Sequence, residues 1–139
     1  IYPFYRLQED GFEVDVATDG KTEDMGQLGA AKVTPTLGLD NLDPAEFRLL
    51  VLPGGAKCME YMRQDKRIIE FISAFHDSGR VIGSICHAAS LLISAKVVAG
   101  RNISGYYSIR DDIENAGATY LDNPVVIDRN IIFCQSLHG

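Results

Sequence analysis

The sequence predicts an α/β domain with a largely parallel sheet. Three observations carry that prediction. Apolar runs of strand period alternate with runs of helix period along the chain. The run FRLLVLP (47–53) is nearly continuous in apolar residues, the habit of a strand buried on both faces of a parallel sheet. The breaks between runs fall on glycines, at Gly11, Gly54–Gly55, Gly79 and Gly117.

Each element follows in order. Residues 1–10, IYPFYRLQED, place Ile1, Phe4, Tyr5 and Leu7 on one side of a helix, with Pro3 in the first turn where its missing N–H is tolerated. Gly11 stops that helix, and FEVDVA (12–17) alternates like a strand. Residues 18–46 are polar, rich in Gly and Asp, and carry two prolines, so they read as a long irregular excursion. After strand 47–52 and the Gly54–Gly55 pair, residues 62–77 set Ile68, Ile69, Phe71, Ile72 and Phe75 on one helical face, with Gly79 as the stop. A strand over 81–85, a helix over 87–96, a short strand near 102–106 and a helix over 108–116 follow. VVIDRNIIF (125–133) reads as a closing hairpin around Asp128, Arg129 and Asn130.

The chain of 139 residues, 46% hydrophobic, is one domain's worth with one core. No apolar run approaches the roughly 20 residues that span a bilayer, and no basic stretch leads into an apolar one as in a secretory signal. A formal charge of −6 argues against nucleic acid or an anionic membrane as the main partner. Cys58, Cys86 and Cys134 are an odd, sparse set without metal-ligand spacing, which points to reduced thiols and a cytoplasmic protein. The chain opens on Ile1 directly into a helix and closes at Gly139 just after a strand, so the expectation is a domain over 1–139 truncated at both ends.

The stretch GRVIGSICHAASLLISA (79–95) holds the chemistry. Cys86 sits where a strand gives way to a helix, at a strand C-terminus where open α/β sheets bind ligands. A helix start favours thiolate over thiol, and a sharp strand-to-helix turn exposes a nucleophile. The alternative is a small cysteine packed in the core, the commoner fate of a free thiol. His87 is next in sequence, but neighbours on a helix point about 100° apart, so it needs its ring turned back across the turn and held by a third group. Gly54 and Gly55 follow another strand end, where a backbone N–H can approach a bound carbonyl closely. Paired with the N–H of His87, that of Gly55 would form an oxyanion hole beside Cys86.

Together these segments resemble the PfpI/ThiJ family of the class I glutamine amidotransferase-like superfamily, most closely its intracellular cysteine protease branch. IYPFYRLQEDGFEV looks like the family's first helix and second strand, LLVLPGG its oxyanion strand, and SICHAASLLISAKVVAGR its nucleophile elbow. The resemblance continues through YYSIRDDIENAGATYLDNPVVIDRNII. It implies a flavodoxin-like three-layer sandwich with a mostly parallel sheet and a C-terminal hairpin, lacking its first strand and last helix here. By the same resemblance Cys86 is the nucleophile, His87 its neighbouring base and Gly55 the oxyanion glycine, with Tyr106 and Gly54 lining the substrate pocket. Glu60 falls nearest to a glutamate that a neighbouring subunit supplies, provided one residue is inserted between Gly55 and Glu60. The implied assembly is a homo-oligomer, dimer or hexamer, with the site at a subunit interface. Ala88, Ala89 and Ser90 stand where the family usually continues Gly-Pro, which reshapes the pocket floor. An acid expected to contact the cysteine falls in sequence before Ile1.

The implied function is a cysteine hydrolase, nominally a peptidase acting on small peptides, in which water releases an acyl-enzyme. The same site could attack a small carbonyl substrate, as a glyoxalase or deglycase on methylglyoxal-type adducts. A third reading is a redox-sensing stress protein in which Cys86 is oxidised and turns nothing over. No cofactor or metal is expected: Asp111, Asp112 and Glu114 read as a solvated helix face without an accompanying histidine. His76, near a helix end, reads as a cation placed against terminal carbonyls. Cys58 reads as incidental, and His138 has no evident partner.

Overall fold

The computed structural model describes residues 1–20, 24–25 and 32–135, so His138 lies outside the described residues. The chain forms two compact units, Ile1–Leu42 and Asp43–Gly139.

In the first unit, α1 (Tyr2–Glu9) carries Pro3 in its first turn and ends on Asp10, to which Arg6 donates at 2.9 Å. Gly11 leaves the helix at φ 91°, a conformation glycine adopts without strain. The apolar side is narrower than the sequence suggests. Phe4 and Leu7 are half-buried, whereas Tyr5 is 50% exposed. The strand expected over 12–17 survives as β1 (Ala17–Thr18), and the excursion after it holds β2 (Asp24–Met25), β3 (Lys32–Val33) and β4 (Leu37–Gly38). β1 runs parallel to β4, and β2 antiparallel to β3. The period-two alternation is real, since Val14, Val16 and Thr18 are half-buried. The ladder shortens because a side chain takes its place: Thr36 Oγ1 accepts the Val16 N–H and donates to Asp15, both at 2.9 Å.

The second unit contains β5 (Leu49–Leu52), α2 (Ala56–Met62), α3 (Lys66–Asp77) and β6 (Val81–Ile85). A 3-10 turn (Cys86–Ala88) leads into α4 (Ala89–Ser94), then β7 (Asn102–Ile103). A second 3-10 turn (Tyr107–Ile109) precedes α5 (Arg110–Asn115), β8 (Thr119–Tyr120), β9 (Val125–Asp128) and β10 (Ile131–Cys134). The sheet order is β5-β6-β10-β9. The first three strands are parallel and β9 joins antiparallel through the hairpin, the mostly parallel α/β arrangement the sequence predicts. β7 and β8 pair separately and in parallel.

Local chemistry sets these boundaries. Asp65 caps α3 by accepting the Arg67 N–H at 3.0 Å, and the helix buries Ile72 and Phe75 while Ile68, Ile69 and Phe71 pack half-buried beside them. α2 is an addition to the sequence reading: only Met59 of its seven residues is buried, so no apolar stripe announces it. The strand expected over 102–106 stops at Ile103 because the chain turns at Gly105, where an added Cβ would lie 3.3 Å from the Cys86 carbonyl oxygen. Ile82 of β6, Ile131 and Phe133 of β10, and Leu91 and Leu92 of α4 are fully buried together in the core.

One charged group lies inside that frame. Arg101 is 4% exposed, and its guanidinium donates to Val97 O, to Asp128 O and Oδ1, to Asn130 Oδ1 and to His76 Nε2, at 2.7–3.2 Å. An arginine cannot accept, so His76 Nε2 accepts from Arg101, while Nδ1 lies 3.4 Å from Asp77 Oδ1. His76 lies in the last turn of α3, as the sequence suggests, and there it joins the Arg101 network. Burial lowers the Arg101 pKa from its usual value, while the N–H of Asn102 foremost holds the Asp128 carboxyl below the ordinary range. Arg101→Ala is expected to cost about 3–5 kcal/mol of unfolding free energy, the scale for breaking a buried charge network. Arg101→Lys should recover little, because an ammonium cannot reproduce the fork. Urea denaturation of the two variants checks both.

Candidate active site

The pairing of β5 with β6 places the site. Leu49 lies opposite Val81 and Leu52 opposite Ser84. Carried two residues on, the same register brings Gly54 against Cys86. A Cβ on Gly54 would sit 2.8 Å from Cys86 Cβ and 2.8 Å from Ile85 O, so no other residue fits without displacing the turn. Gly55 follows at φ 120°, a backbone conformation that side chains avoid. Cys86 itself takes φ 58°, left-handed for a residue with a side chain. The tight strand-to-helix turn predicted for Cys86 is thus present, in a strained form. The Tyr106 N–H holds it from the far side, donating to Cys86 O at 3.2 Å.

Around the sulfur, the predicted groups converge. Cys86 Sγ lies 3.3 Å from His87 Nδ1, so the ring is turned back across the elbow as the chemistry requires. The backbone N–H groups of His87 and Gly55 both act to lower the thiol pKa, against its burial. Tyr106 stacks on His87, with ring centroids 4.4 Å apart and planes 28° apart, and Tyr107 packs on Tyr106 at 4.6 Å. Gly54 presses on the elbow itself. Glu60 is exposed on α2 and makes no hydrogen bond or ion pair among the described residues. Within this chain the group beside His87 Nε2 is Ser108, whose Oγ lies 3.4 Å away. Sequence reasoning missed Ser108: it stands 21 residues from His87, and only the 3-10 turn after Tyr106 brings it round.

The electrostatics run against one expectation. Burial pushes the Cys86 thiol above its usual value, and the N–H groups of His87 and Gly55 offset this only in part. Burial likewise lowers the His87 pKa. The direction opposes the thiolate expected from a helix start, because burial outweighs the backbone N–H groups at a turn that begins as 3-10 and not as an α-helix. Burial thus disfavours the charged form of both members of the pair. The Tyr106 hydroxyl is raised too, chiefly by its hydrogen bond to Tyr107 and last by the nearby Cys86. Cys58 is exposed on α2; Cys134 is half-buried at the end of β10, and burial raises its thiol. Asp111, Asp112 and Glu114 are exposed on α5, where Glu114 accepts from Arg110 at 3.2 Å.

A model of the DJ-1/PfpI family matches residues 1–137. The chain belongs to the DJ-1/PfpI family. Over 130 residues it is 40% identical to "Deglycase PfpI" of Pyrococcus furiosus, covering 94% of this chain and 77% of that one. It is 38% identical over 133 residues to YraA of Bacillus subtilis, named provisionally as a cysteine protease, covering 94% and 76% of the two chains. A ThiJ/PfpI domain protein from Brachyspira murdochii superposes with a TM-score of 0.87, covering 97% of this chain and 78% of that one. Its sequence identity is 20%, so this likeness shows the fold alone. The DJ-1/PfpI assignment agrees with the resemblance read from the Cys-His elbow and the Pro-Gly-Gly loop.

The close approach at the elbow makes a stability prediction. Gly54→Ala forces a Cβ onto two fixed atoms of Ile85 and Cys86 and is expected to cost about 1–3 kcal/mol. Gly38→Ala, where a Cβ meets nothing within 4 Å, should be neutral or slightly stabilising. Chemical denaturation of the pair separates packing from backbone entropy.

Proposed function

We propose that this chain is a cysteine-dependent enzyme that attacks the carbonyl carbon of small dicarbonyl-derived adducts, a deglycase. The observation that carries the reading is Cys86 Sγ 3.3 Å from His87 Nδ1 at a strained turn packed against Gly54. Burial there disfavours the charged form of both groups. Cleaving a peptide bond needs an imidazolium that protonates a poorly leaving amine, and burial at His87 disfavours that charged form. Addition to an activated aldehyde or ketone asks less, since the proton can leave the thiol as the C–S bond forms. Relatives of this chain from Pyrococcus and Thermococcus bear the name deglycase, which supports the same reading. Peptide hydrolysis is the second reading, favoured by the name of YraA.

In the mechanism Cys86 Sγ adds to the carbonyl carbon while His87 Nδ1 takes its proton. The N–H groups of Gly55 and His87 receive the developing oxyanion. The carbon attacked is the aldehyde carbon freed as the adduct's thiol or amine departs with a proton. His87 returns its proton to the resulting oxyanion, then moves a proton from that carbon to the neighbouring keto carbon. This leaves a hydroxyacyl thioester on Cys86, which water hydrolyses to the hydroxy acid and the free thiol. Nδ1 must be bare at the outset, so the ring proton sits on Nε2 and donates to Ser108 Oγ. Ser108 is thus a positioning residue that selects the working tautomer. Tyr106 fixes the ring plane by stacking and walls the pocket with Gly54. In the assembled protein, a homo-oligomer, Glu60 of a neighbouring copy could steady the imidazolium that forms transiently. Three unpaired thiols suit a cytoplasmic setting.

Side-by-side assays with a methylglyoxal adduct of N-acetylcysteine and with a fluorogenic peptide test the reading. Turnover of the adduct, abolished in Cys86→Ser, is expected; peptide turnover without adduct turnover would overturn it. The base must be neutral to act, and His87 titrates below 6.5. The rate should therefore be flat at neutral pH and fall as pH drops through that lowered value. In His87→Ala that acid limb should vanish, with about 10²–10⁴-fold lower activity at neutral pH. What remains should climb with pH towards the raised Cys86 value, above 9.0. Full activity in His87→Ala would sink the pair mechanism. Ser108→Ala should lower kcat by about two- to tenfold, the worth of one neutral hydrogen bond, with KM unchanged. Ser108→Thr should restore the rate.

A further inference from the structure

Cys58 stands apart from the mechanism, but its surroundings do not. It lies in the first turn of α2, exposed, and its S–H donates to Gly55 O at 3.1 Å and to Gly54 O at 3.6 Å. Gly54 is the residue packed directly against Cys86, with no room for a Cβ between them. The two cysteines therefore flank the same glycine pair, Cys58 through its hydrogen bonds to the Gly54 and Gly55 carbonyls and Cys86 through its close approach to Gly54. The linking residues add no bulk: the Cβ that Gly55 lacks would lie 3.0 Å from Cys58 Sγ, and the one Gly54 lacks 2.8 Å from Cys86 Cβ.

A disulfide needs its two Cβ atoms about 3.5–4.5 Å apart, so one partner must be free to adjust. Cys134 is poorly suited. It belongs to β10, hydrogen-bonded to β6 on one side and β9 on the other, with Cys134 in register with Ile85. Cys58 belongs to a seven-residue helix that buries only Met59 and is entered through Gly55 at φ 120°. Its first turn can unwind with little loss of buried surface.

We propose that Cys58 and Cys86 are a paired modification site that forms a reversible intramolecular disulfide in exchange with a low-molecular-weight disulfide. The exposed Cys58 reacts first: its sulfur attacks the small disulfide, the S–S bond breaks, and one small thiol departs with the electron pair. Cys86 then attacks the Cys58 sulfur, His87 Nδ1 accepting its proton, and the second small thiol leaves. Overall, two protein thiols are oxidised to one disulfide and one small disulfide is reduced to two thiols. Excess thiol runs the exchange backwards. While the link stands, the Cys86 sulfur is withdrawn from any carbonyl, so the oxidised protein is shut and recoverable. This differs from sulfinic acid at Cys86, which ordinary thiols do not reverse. The proposal stands apart from which carbonyl Cys86 attacks.

Oxidised glutathione is the probe. The protein is incubated with it, blocked with iodoacetamide, digested without reductant and mapped by mass spectrometry. A peptide joining Cys58 to Cys86 is expected, with Cys86 labelling lowered about tenfold or more and restored by dithiothreitol. Cys58→Ser should abolish the link and leave Cys86 open to labelling, while Cys134→Ser should leave the link intact. A Cys86–Cys134 link, a Cys58 link between two chains, or glutathione adducts alone would each overturn the pairing.

Discussion

Strands β5 and β6 run parallel with Leu52 opposite Ser84, and the rest of the site depends on that one register. Two residues further on, Gly54 meets Cys86 at a distance that leaves no room for a Cβ. That contact sets the Gly55 N–H near the sulfur, where it and the His87 N–H both lower the thiol pKa. A slip of one residue would turn every side chain of β5 to the opposite face and could set Pro53, which has no N–H, where Gly54 now lies. β10 guards against the slip from the other side, pairing Cys134 with Ile85 and holding β6 between two parallel neighbours.

The register also explains the site's charge state. Pressing a glycine loop, a tyrosine stack and a 3-10 turn around one sulfur removes water from it, and burial becomes the largest influence on both Cys86 and His87. Desolvation disfavours the charged form of each, raising the thiol and lowering the imidazole. Two backbone N–H groups pull the thiol back towards ionisation without overcoming that effect. The same N–H groups are therefore available to an oxyanion on substrate, which needs them more than a neutral thiol does.

Much of this was legible in the sequence, and the failures have physical causes. Strand 81–85 and the position of Cys86 at its end can be read because Val81–Ile85 is apolar and Leu91 and Leu92 then recur at helical spacing. The Gly54–Gly55 pair marks the second strand end. α2 escaped because AKCMEYM buries a single residue, and β8 because two residues make no pattern. The thiol's direction escaped for another reason. Sequence shows that a helix follows Cys86, but not that it starts as a 3-10 turn nor how much water the packing excludes. Ser108 and Arg101 share that limit. Each acts through partners more than twenty residues away, which periodicity within a window cannot reveal.

Arg101 matters to the elbow despite lying in a different part of the frame. The left-handed φ of Cys86 stores roughly 1–3 kcal/mol, and strain of that size persists only where surrounding structure over-determines it. Tyr106 fixes one side through Cys86 O. The sheet fixes the other, and its inner strand β6 is only as steady as β10 beside it. Arg101 bonds to Asp128 and Asn130 on either side of the β9–β10 turn, and Asn130 in turn donates to Arg80 O immediately before β6. The network thus clamps the starts of β6 and β10 together at the end of the sheet opposite the thiol. Breaking it costs more than the elbow stores, so the clamp can keep the strands in register while Cys86 stays strained.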